Sequence, residues 1–309
     1  GRMNYNYTFM NSGTYRFRST EGSGPVIFYG YVHVLERTSR TFYFACNDTL
    51  GNNHTASNNA AKITIIIPPV QGTPLLVSTN QSTNDTNQNL TAYNQSTLDF
   101  NSKPVKNIYN WKVNGKSIKI VNMPFEGING TDLNNAYDYS AYNNNPNLYV
   151  NVTWNSTGGF DGKGAYKFDS GVINLNDIIE NKTTLTLSSW IYVDNLGTGT
   201  QRIFNEFNSV YLQTFNTGRI QMYVYNETST VQTVIQSAVG SILVNRWYHV
   251  TGKIDFPSSQ AFIYIDGLKV ANGTIKGTKT GFSTSKLSLG SYYGASSFFN
   301  GTIDEVSIW

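Results

Sequence analysis

The stretch NRWYHVTGKIDFPSSQAFIYIDGLKV, Asn245 to Val270, decides the fold. Read at a period of two, Trp247, His249 and Thr251 point to one side and Tyr248 and Val250 to the other. Phe262-Ile263-Tyr264-Ile265 is an aromatic and β-branched run that suits a pleated, half-buried surface. Asp266-Gly267 follows. A two-residue hairpin turn of type I′ needs φ > 0 at both central positions, and Asp-Gly tolerates that. Leu268-Lys269-Val270 opens the return strand. Two strands and the start of a third therefore form an antiparallel meander, and the rest of the chain is placed around it.

Composition agrees with an all-β reading. Of 309 residues only 13% are charged, 14% are aromatic, and Tyr alone numbers 21. Long helix-period stretches rich in Ala, Leu, Glu and Lys are absent. The length leaves room for two or three domains with cores of their own. A net charge of +3 with no Lys/Arg block argues against nucleic acid as a partner. Arg16, Arg18, Arg37 and Arg40 read as a solvated strand face. The single cysteine, Cys46, forms no internal disulfide, and in Phe42-Tyr43-Phe44-Ala45-Cys46 it reads as a buried thiol. No apolar run reaches the length of a membrane span. The chain opens at Gly1-Arg2 and reads as a mature or trimmed segment, so the missing signal peptide carries no information on location.

Asn-x-Ser/Thr occurs at 14 positions: Asn6, Asn47, Asn53, Asn80, Asn84, Asn89, Asn94, Asn129, Asn151, Asn155, Asn181, Asn226, Asn272 and Asn300. Asn, Ser and Thr are abundant, yet the number exceeds what abundance alone gives, and four cluster between Asn80 and Asn94. The expectation is a glycoprotein carrying N-linked glycans outside the cell or at its surface.

In chain order, residues 1–68 read as short strands at 4–9, 14–19, 25–35, 40–47 and 61–67, and Pro68-Pro69 closes the unit. Residues 69–121 read as a second, partial β unit. Leu75–Ser78 is its first strand, Thr79–Thr97 is polar, Val105–Val113 carries Trp111, and Asn114-Gly115 makes a hairpin turn. Neither unit has the strands of a whole sandwich. Their open edges need completion within the chain, from a second copy, or from residues cut away. Residues 122–309 are dense in strands at the spacing of a sandwich: Leu185–Val193, Arg202–Phe207, Val210–Thr214, Arg219–Tyr225, Thr230–Ser237, Trp247–Ile254, Ala261–Ile265, Lys286–Leu289 and Gly301–Trp309.

The third unit resembles the laminin-G-like branch of the concanavalin A-like jelly rolls. Met123-Pro124-Phe125-Glu126-Gly127 looks like the opening strand. Tyr137-Asp138-Tyr139-Ser140 with Asn143-Asn144-Asn145 looks like the family's Asp/Asn loop, with Ala141 where Gly is usual. Gly162–Asp169 looks like the next strand, with Ser170 where Gly should follow. Leu187–Val193, Trp247–Val250, Ile263–Gly267 and Phe299–Val306 complete the match. Asn11–Phe17 and Trp111 resemble parts of immunoglobulin-like domains of a prokaryotic, archaeal-type surface protein. The expected fold class is thus all-β, with immunoglobulin-like sandwich units followed by a concanavalin A-like jelly-roll sandwich.

Glucanases of the superfamily carry E-x-D-x-E on one strand, which sets two carboxylates on one face. No such triplet occurs here, and Asp304-Glu305 are adjacent, so the expectation is a non-catalytic protein. His33, His54 and His249 are far apart, and His249 beside Trp247 reads as a packed structural histidine. The resemblance implies calcium, held by Asp138, Asp169 and Asp304. Tyr142, Tyr292 and Tyr293 are the candidates for stacking on a sugar. The expected role is structural or adhesive, as a subunit of a surface filament or layer built from copies of the chain. A lectin-like module binding cell-surface glycans is the alternative, and a degenerate glycosidase relative the second.

Overall fold

The computed structural model describes residues 69–309 except 84, 86, 100–104, 127–135, 229–230 and 283–285, and the strand backbones of 13–18, 27–34, 42–47 and 53–55; side chains 231–232 lie outside it. Every regular element among the described residues is a β-strand. The chain divides into two compact units, Gly1–Asn107 and Ile108–Trp309.

In the first unit, β1 (Gly13–Arg18), β2 (Ile27–Val34), β3 (Phe42–Asn47) and β4 (Asn53–Thr55) form an antiparallel meander in chain order. The strand returning beside β3 is β4; the sequence reading also placed a strand at 61–67. That run lies outside the described residues, as do 4–9 and the side chains of Tyr15 and Cys46. β5 (Val70–Ser78) and β6 (Leu90–Leu98) pair as a separate two-stranded ribbon. β6 occupies half of the polar stretch read from Thr79 to Thr97, since a ribbon exposed on both faces needs no apolar alternation. A meander and a ribbon are what these strands show, and they do not establish an immunoglobulin-like sandwich.

The second unit opens on a short hairpin, β7 (Lys112–Val113) and β8 (Lys116–Ser117). Asn114 and Gly115 take φ of 51° and 78°, as a type I′ turn requires. The long strand expected at Val105–Val113 shrinks to its last two residues, and Trp111 sits half-buried outside any strand. There follow β9 (Val121–Met123), β10 (Leu148–Asn155), β11 (Ala165–Asn174), β12 (Thr184–Val193), β13 (Thr200–Glu206), β14 (Val210–Phe215) and β15 (Arg219–Tyr225). The chain ends with β16 (Val231–Gln236), β17 (Trp247–Asp255), β18 (Gln260–Ile265), β19 (Leu268–Thr274), β20 (Ser288–Leu289) and β21 (Asn300–Ile308).

These strands make one hydrogen-bonded path, β16-β15-β14-β13-β20-β11-β21-β12-β17-β18-β19, with β10 on β11 and β9 on β21. The path folds back so that β16 meets β19 and β15 meets β18. The facing layers are those of a jelly-roll sandwich. The Gly252 Cα sits under Met222 and Leu212, where a Cβ would come 2.7 Å from the Met222 sulfur. Tyr248, Val250, Ile254, Ala261, Ile263 and Ile265 face inward from β17 and β18, while Trp247, His249, Thr251, Lys253, Phe262 and Tyr264 face out. The alternation read from the sequence is the one observed. At the turn, Asp266 and Gly267 take φ of 50° and 78°.

Two departures from the family pattern have local explanations. Ser170 takes φ 57° opposite a bulge in β10 at Asn151, and Gly171 supplies the close approach there, since a Cβ would lie 2.2 Å from the Asn151 carbonyl oxygen. Ala141 costs nothing, because the left-handed residue of its turn is Asn143, at φ 55°. β10 itself escaped the sequence reading, since its side chains alternate only between half-buried and exposed.

Ile263→Ala removes a fully buried side chain from the middle of the sandwich. Its unfolding free energy should fall by about 2–5 kcal/mol. Thr251→Ala, on the outer face of the adjacent strand, should change it by no more than about 0.5 kcal/mol. Urea unfolding of the two variants checks the assignment of faces.

Candidate functional site

The outer face of β13–β16 carries a dense set of tyrosine, glutamine and arginine side chains. Register places Arg202 opposite Gln213, Gln213 opposite Gln221, Gln221 opposite Gln236, and Tyr211 opposite Tyr223. The three glutamines form an amide ladder: Gln213 Nε2 donates to Gln221 Oε1 at 2.8 Å, and Gln221 Nε2 donates to Gln236 Oε1 at 3.0 Å. Beside it the Tyr211 ring lies 5.9 Å from Tyr223 and 5.4 Å from Tyr225. Val210 and Leu212, between these outward residues on β14, are buried in the core. Period-two alternation thus makes one strand serve core and face together.

A second segment completes the face. Between β20 and β21 the chain makes a compact loop, in which the Tyr292 N–H donates to Ser296 O at 2.8 Å and Tyr293 takes φ 55°. The Arg202 N–H donates to Ser297 O at 2.8 Å, which ties the loop to β13. Tyr292 and Tyr293 thereby reach Phe207, with ring centroids 6.4 and 6.1 Å away, and Tyr292 lies 6.4 Å from Tyr211. Tyr211 is the floor, 5% exposed; Tyr223, Tyr225, Tyr292 and Tyr293 are a half-buried rim, and Phe207 is 38% exposed.

Arg202 stands in the middle. Its guanidinium carbon is 4.0 Å from the Tyr211 ring centre and 5.7 Å from that of Tyr292. Nε and Nη1 are buried without a hydrogen-bond acceptor. Burial lowers the guanidinium pKa, opposed by the nearby Tyr211, Tyr223, Tyr225 and Tyr292. Contact with an aromatic face is worth at most about 2 kcal/mol. Arg202 is half-buried, so it bears part of the several kcal/mol that a fully desolvated charge costs, and its Nε and Nη1 are the atoms the rings leave without an acceptor.

Of the expected sugar-stacking residues, Tyr292 and Tyr293 therefore meet at one place. Tyr142 does not join them: it lies 49% exposed, with its hydroxyl donating to Ser117 O at 3.5 Å. Arg202, Tyr211, Tyr223, Tyr225 and the three glutamines escaped the sequence reading. Their signal was present in the outward positions of YLQTF and RIQMYVY, but nothing in sequence says which outward face collects a loop.

The expected calcium ligands Asp138, Asp169 and Asp304 are not brought together. Asp169 pairs with Asn300 near the start of β21 and is exposed. Asp304 lies further along β21, fully buried, accepting the N–H groups of Phe160 and Glu305. Asp138 accepts the N–H of Asn122, which pairs with Ser307 at the far end of the strand. It also accepts Ser140 N and Oγ and Asn144 N. A carboxylate holding four donors organises its loop and has little left for a cation. Glu305 leaves the strand pattern at φ 52°, in a bulge against β12. There its carboxylate comes within 4.8 Å of those of Glu126 and Asp161, hard oxygens of the kind calcium takes.

Another aromatic surface lies over β12 and β17. Phe160 stacks on Trp190 at 3.4 Å and 9°, with Trp247 edge-on at 6.2 Å and His249 5.3 Å from Trp190. His249 is packed there, and burial lowers its pKa against the pull of Asp266 and Glu305. Phe160 already covers a face of Trp190, so this patch offers less for stacking than its ring count suggests.

Among the glycosylation candidates, Asn80, Asn89, Asn94, Asn151, Asn155, Asn181 and Asn272 are exposed and Asn300 is half-buried. Asn226 is a correction. It is 8% exposed, bridges to Thr280, and its Oδ1 accepts the N–H and hydroxyl of Thr228, so its side chain is turned into the fold where the other described sequons face solvent at least in part. Asn6, Asn84 and Asn129, and the side chains of Asn47 and Asn53, lie outside the described residues.

Residues 164–309 match the family model Laminin_G_3, the concanavalin A-like lectin/glucanases superfamily. This part of the chain is a laminin-G-like, concanavalin A-like jelly-roll domain. The likeness to solved structures covers 62% of the chain. One is the binding domain of Paraclostridial Mosquitocidal Protein 1, at 14% identity, TM-score 0.49 and 48% of that chain. Another is the botulinum neurotoxin serotype G binding domain, at 14% identity, TM-score 0.48 and 47% of that chain. A third is domain 4 of AbnA, a GH43 extracellular arabinanase from Geobacillus stearothermophilus, in complex with arabinotriose, at 17% identity, TM-score 0.47 and 91% of that chain. The match spans about half the length of the two toxin binding domains. Likeness at this level says nothing of what this chain binds. No curated protein matches the sequence.

Glu206, at the end of β13, is fully buried; its Oε2 accepts the N–H groups of Ile178 and Ile179 at 3.5 and 3.4 Å. Burial first, and the charge of Asp177 second, push its pKa from 4.5 up to about 9. The folded chain holds this proton more tightly than the unfolded one. Its stabilisation is complete below about pH 4.5 and is lost as pH rises towards 9, at up to about 1.4 kcal/mol per pH unit. Glu206→Gln should remove most of that slope. Its melting temperature should exceed the parent's at pH 8–9, and the two should converge near pH 4.5.

Proposed function

We propose that this chain is a non-catalytic, glycan-binding, lectin-like module of an extracellular or cell-surface glycoprotein. The observation that carries the reading is the tyrosine rim, arginine and amide ladder on the outer face of β13–β16. Sugar rings have apolar faces that stack on aromatic side chains, and hydroxyl edges that pair with fixed amides and guanidinium groups. Arg202, Tyr211, Tyr223, Tyr225 and the three glutamines stand on strands, which hold them more rigidly than loops do, and Tyr292 and Tyr293 join them from the loop after β20. The outward positions of β14 carry Tyr211, Gln213 and Phe215, so the alternate carboxylates of a glycoside hydrolase are missing from that strand. The family description names lectins beside glucanases, and the reading takes the first of these.

Self-association is the second reading. On the β5–β6 ribbon Leu75, Leu76, Leu90 and Tyr93 are all more than half exposed. An open two-stranded edge with apolar side chains invites strand addition from another copy, which is how a filament or surface layer would grow.

A glycan array with the purified chain tests the first reading. Binding to at least one glycan class is expected, and Tyr223→Ala should weaken it by about 1–2 kcal/mol, roughly tenfold, without loss of folding. An array with no bound glycan, or a Tyr223→Ala variant that binds as the parent does, overturns it. For the second reading, sedimentation should show concentration-dependent assembly that Leu76→Lys abolishes; a monomer at all concentrations sinks it.

A further inference from the structure

We infer that the glycan bound at this face is acidic, and that Arg202 receives the carboxylate of a uronic or sialic acid residue. The inference rests on the glycan-binding reading and concerns the same site.

Three observations meet at Arg202. Its Nε and Nη1 are buried and have no acceptor. The titratable groups that act on it are Tyr211, Tyr223, Tyr225 and Tyr292, and no carboxylate is among them. Across the strand pair stands Gln213, 1% exposed, whose Oε1 also has no partner while its Nε2 is spent on Gln221. The neighbouring arginine shows the contrast. Arg219 Nη1 donates to Ser237 O at 3.1 Å, so that guanidinium is partly satisfied by the fold.

The unmet groups are two cationic donors and one neutral acceptor. An acidic sugar matches that set. Its carboxylate accepts from the guanidinium, in the pairing for which the planar fork of arginine is suited. A ring hydroxyl donates to the Gln213 amide oxygen, and the sugar face lies against the tyrosine rim. A neutral sugar could stack and pair with the amide but would leave the cation uncompensated. An inorganic anion could pair with the cation but would leave the rings and the amide unused. Because Nε and Nη1 are covered, the carboxylate reaches them when a rim side chain moves. Tyr292, half-buried on the loop between β20 and β21, is the ring placed to yield.

The test compares trigalacturonate with its carboxyl-reduced, neutral trimer by calorimetry at pH 7. The parent chain should bind the acid trimer at least about tenfold more tightly, the worth of one charge-assisted pair. In Arg202→Gln that preference should vanish, the acid trimer falling to the affinity of the neutral one. Arg202→Lys, which keeps the charge but not the fork, should retain part of it. Melting curves confirm that each variant is folded, and the parent's two-ligand comparison stands even if a variant is not. Equal affinity for the two trimers, or a preference that survives Arg202→Gln, overturns the inference. Neutral glycans bound on the array without any acidic one overturn it while leaving the proposed function intact. Loss of all glycan binding overturns both.

Discussion

The second unit depends on the burial of two apolar faces belonging to one continuous sheet. β17 and β18 lie across β14 and β15, and the contact is close because Gly252 withholds a side chain where Met222 and Leu212 arrive. Each inward side chain on either layer is almost wholly removed from water, at roughly 1.5–3 kcal/mol apiece for the large aliphatic residues. Sheet hydrogen bonds alone would leave the path open. Burial of Ile254, Ile263, Leu212 and Val224 is what favours folding it over.

Once the sheet is folded, its outer faces are committed to other work. On β13–β16 the outward residues include tyrosines, glutamines and arginines. Tyr211 and Gln213 are themselves nearly buried, and the loop that follows β20 lies against Tyr211 and Arg202. Such a face gains little from the hydrophobic effect and carries an unpaired cation, so it reduces stability where it stands. Glu206, at the end of the same strand, is another such group, kept protonated by its surroundings. Polar groups held at a cost on a rigid scaffold are the feature on which the proposed glycan-binding reading rests.

The jelly-roll part was legible because its strands alternate strongly. Arg219–Tyr225 was read to the residue, and the Trp247 and Gln260 strands to within one position. Both type I′ turns were visible as Asn114-Gly115 and Asp266-Gly267. β10 was not legible, since it is an edge strand that buries little. The carboxylates that the resemblance implied as calcium ligands do not meet, and beside Asp304 a bulge at Glu305 breaks the period-two rule. It leaves Asp304 buried and turns Glu305 towards Glu126 and Asp161, residues 179 and 144 positions away in the chain.

The sequence by itself determined that residues 122–309 would form antiparallel strands with one apolar face each, because alternation and turn chemistry are local and survive without knowledge of neighbours. It also placed Tyr292 and Tyr293 among the residues able to meet a sugar. Only the tertiary structure decided where they go. The loop between β20 and β21 folds over β13, and there the rings close on an arginine some ninety positions earlier, beside an amide ladder built from three strands. Such a meeting depends on strand order and layer packing, and neither is written in any single window of the chain.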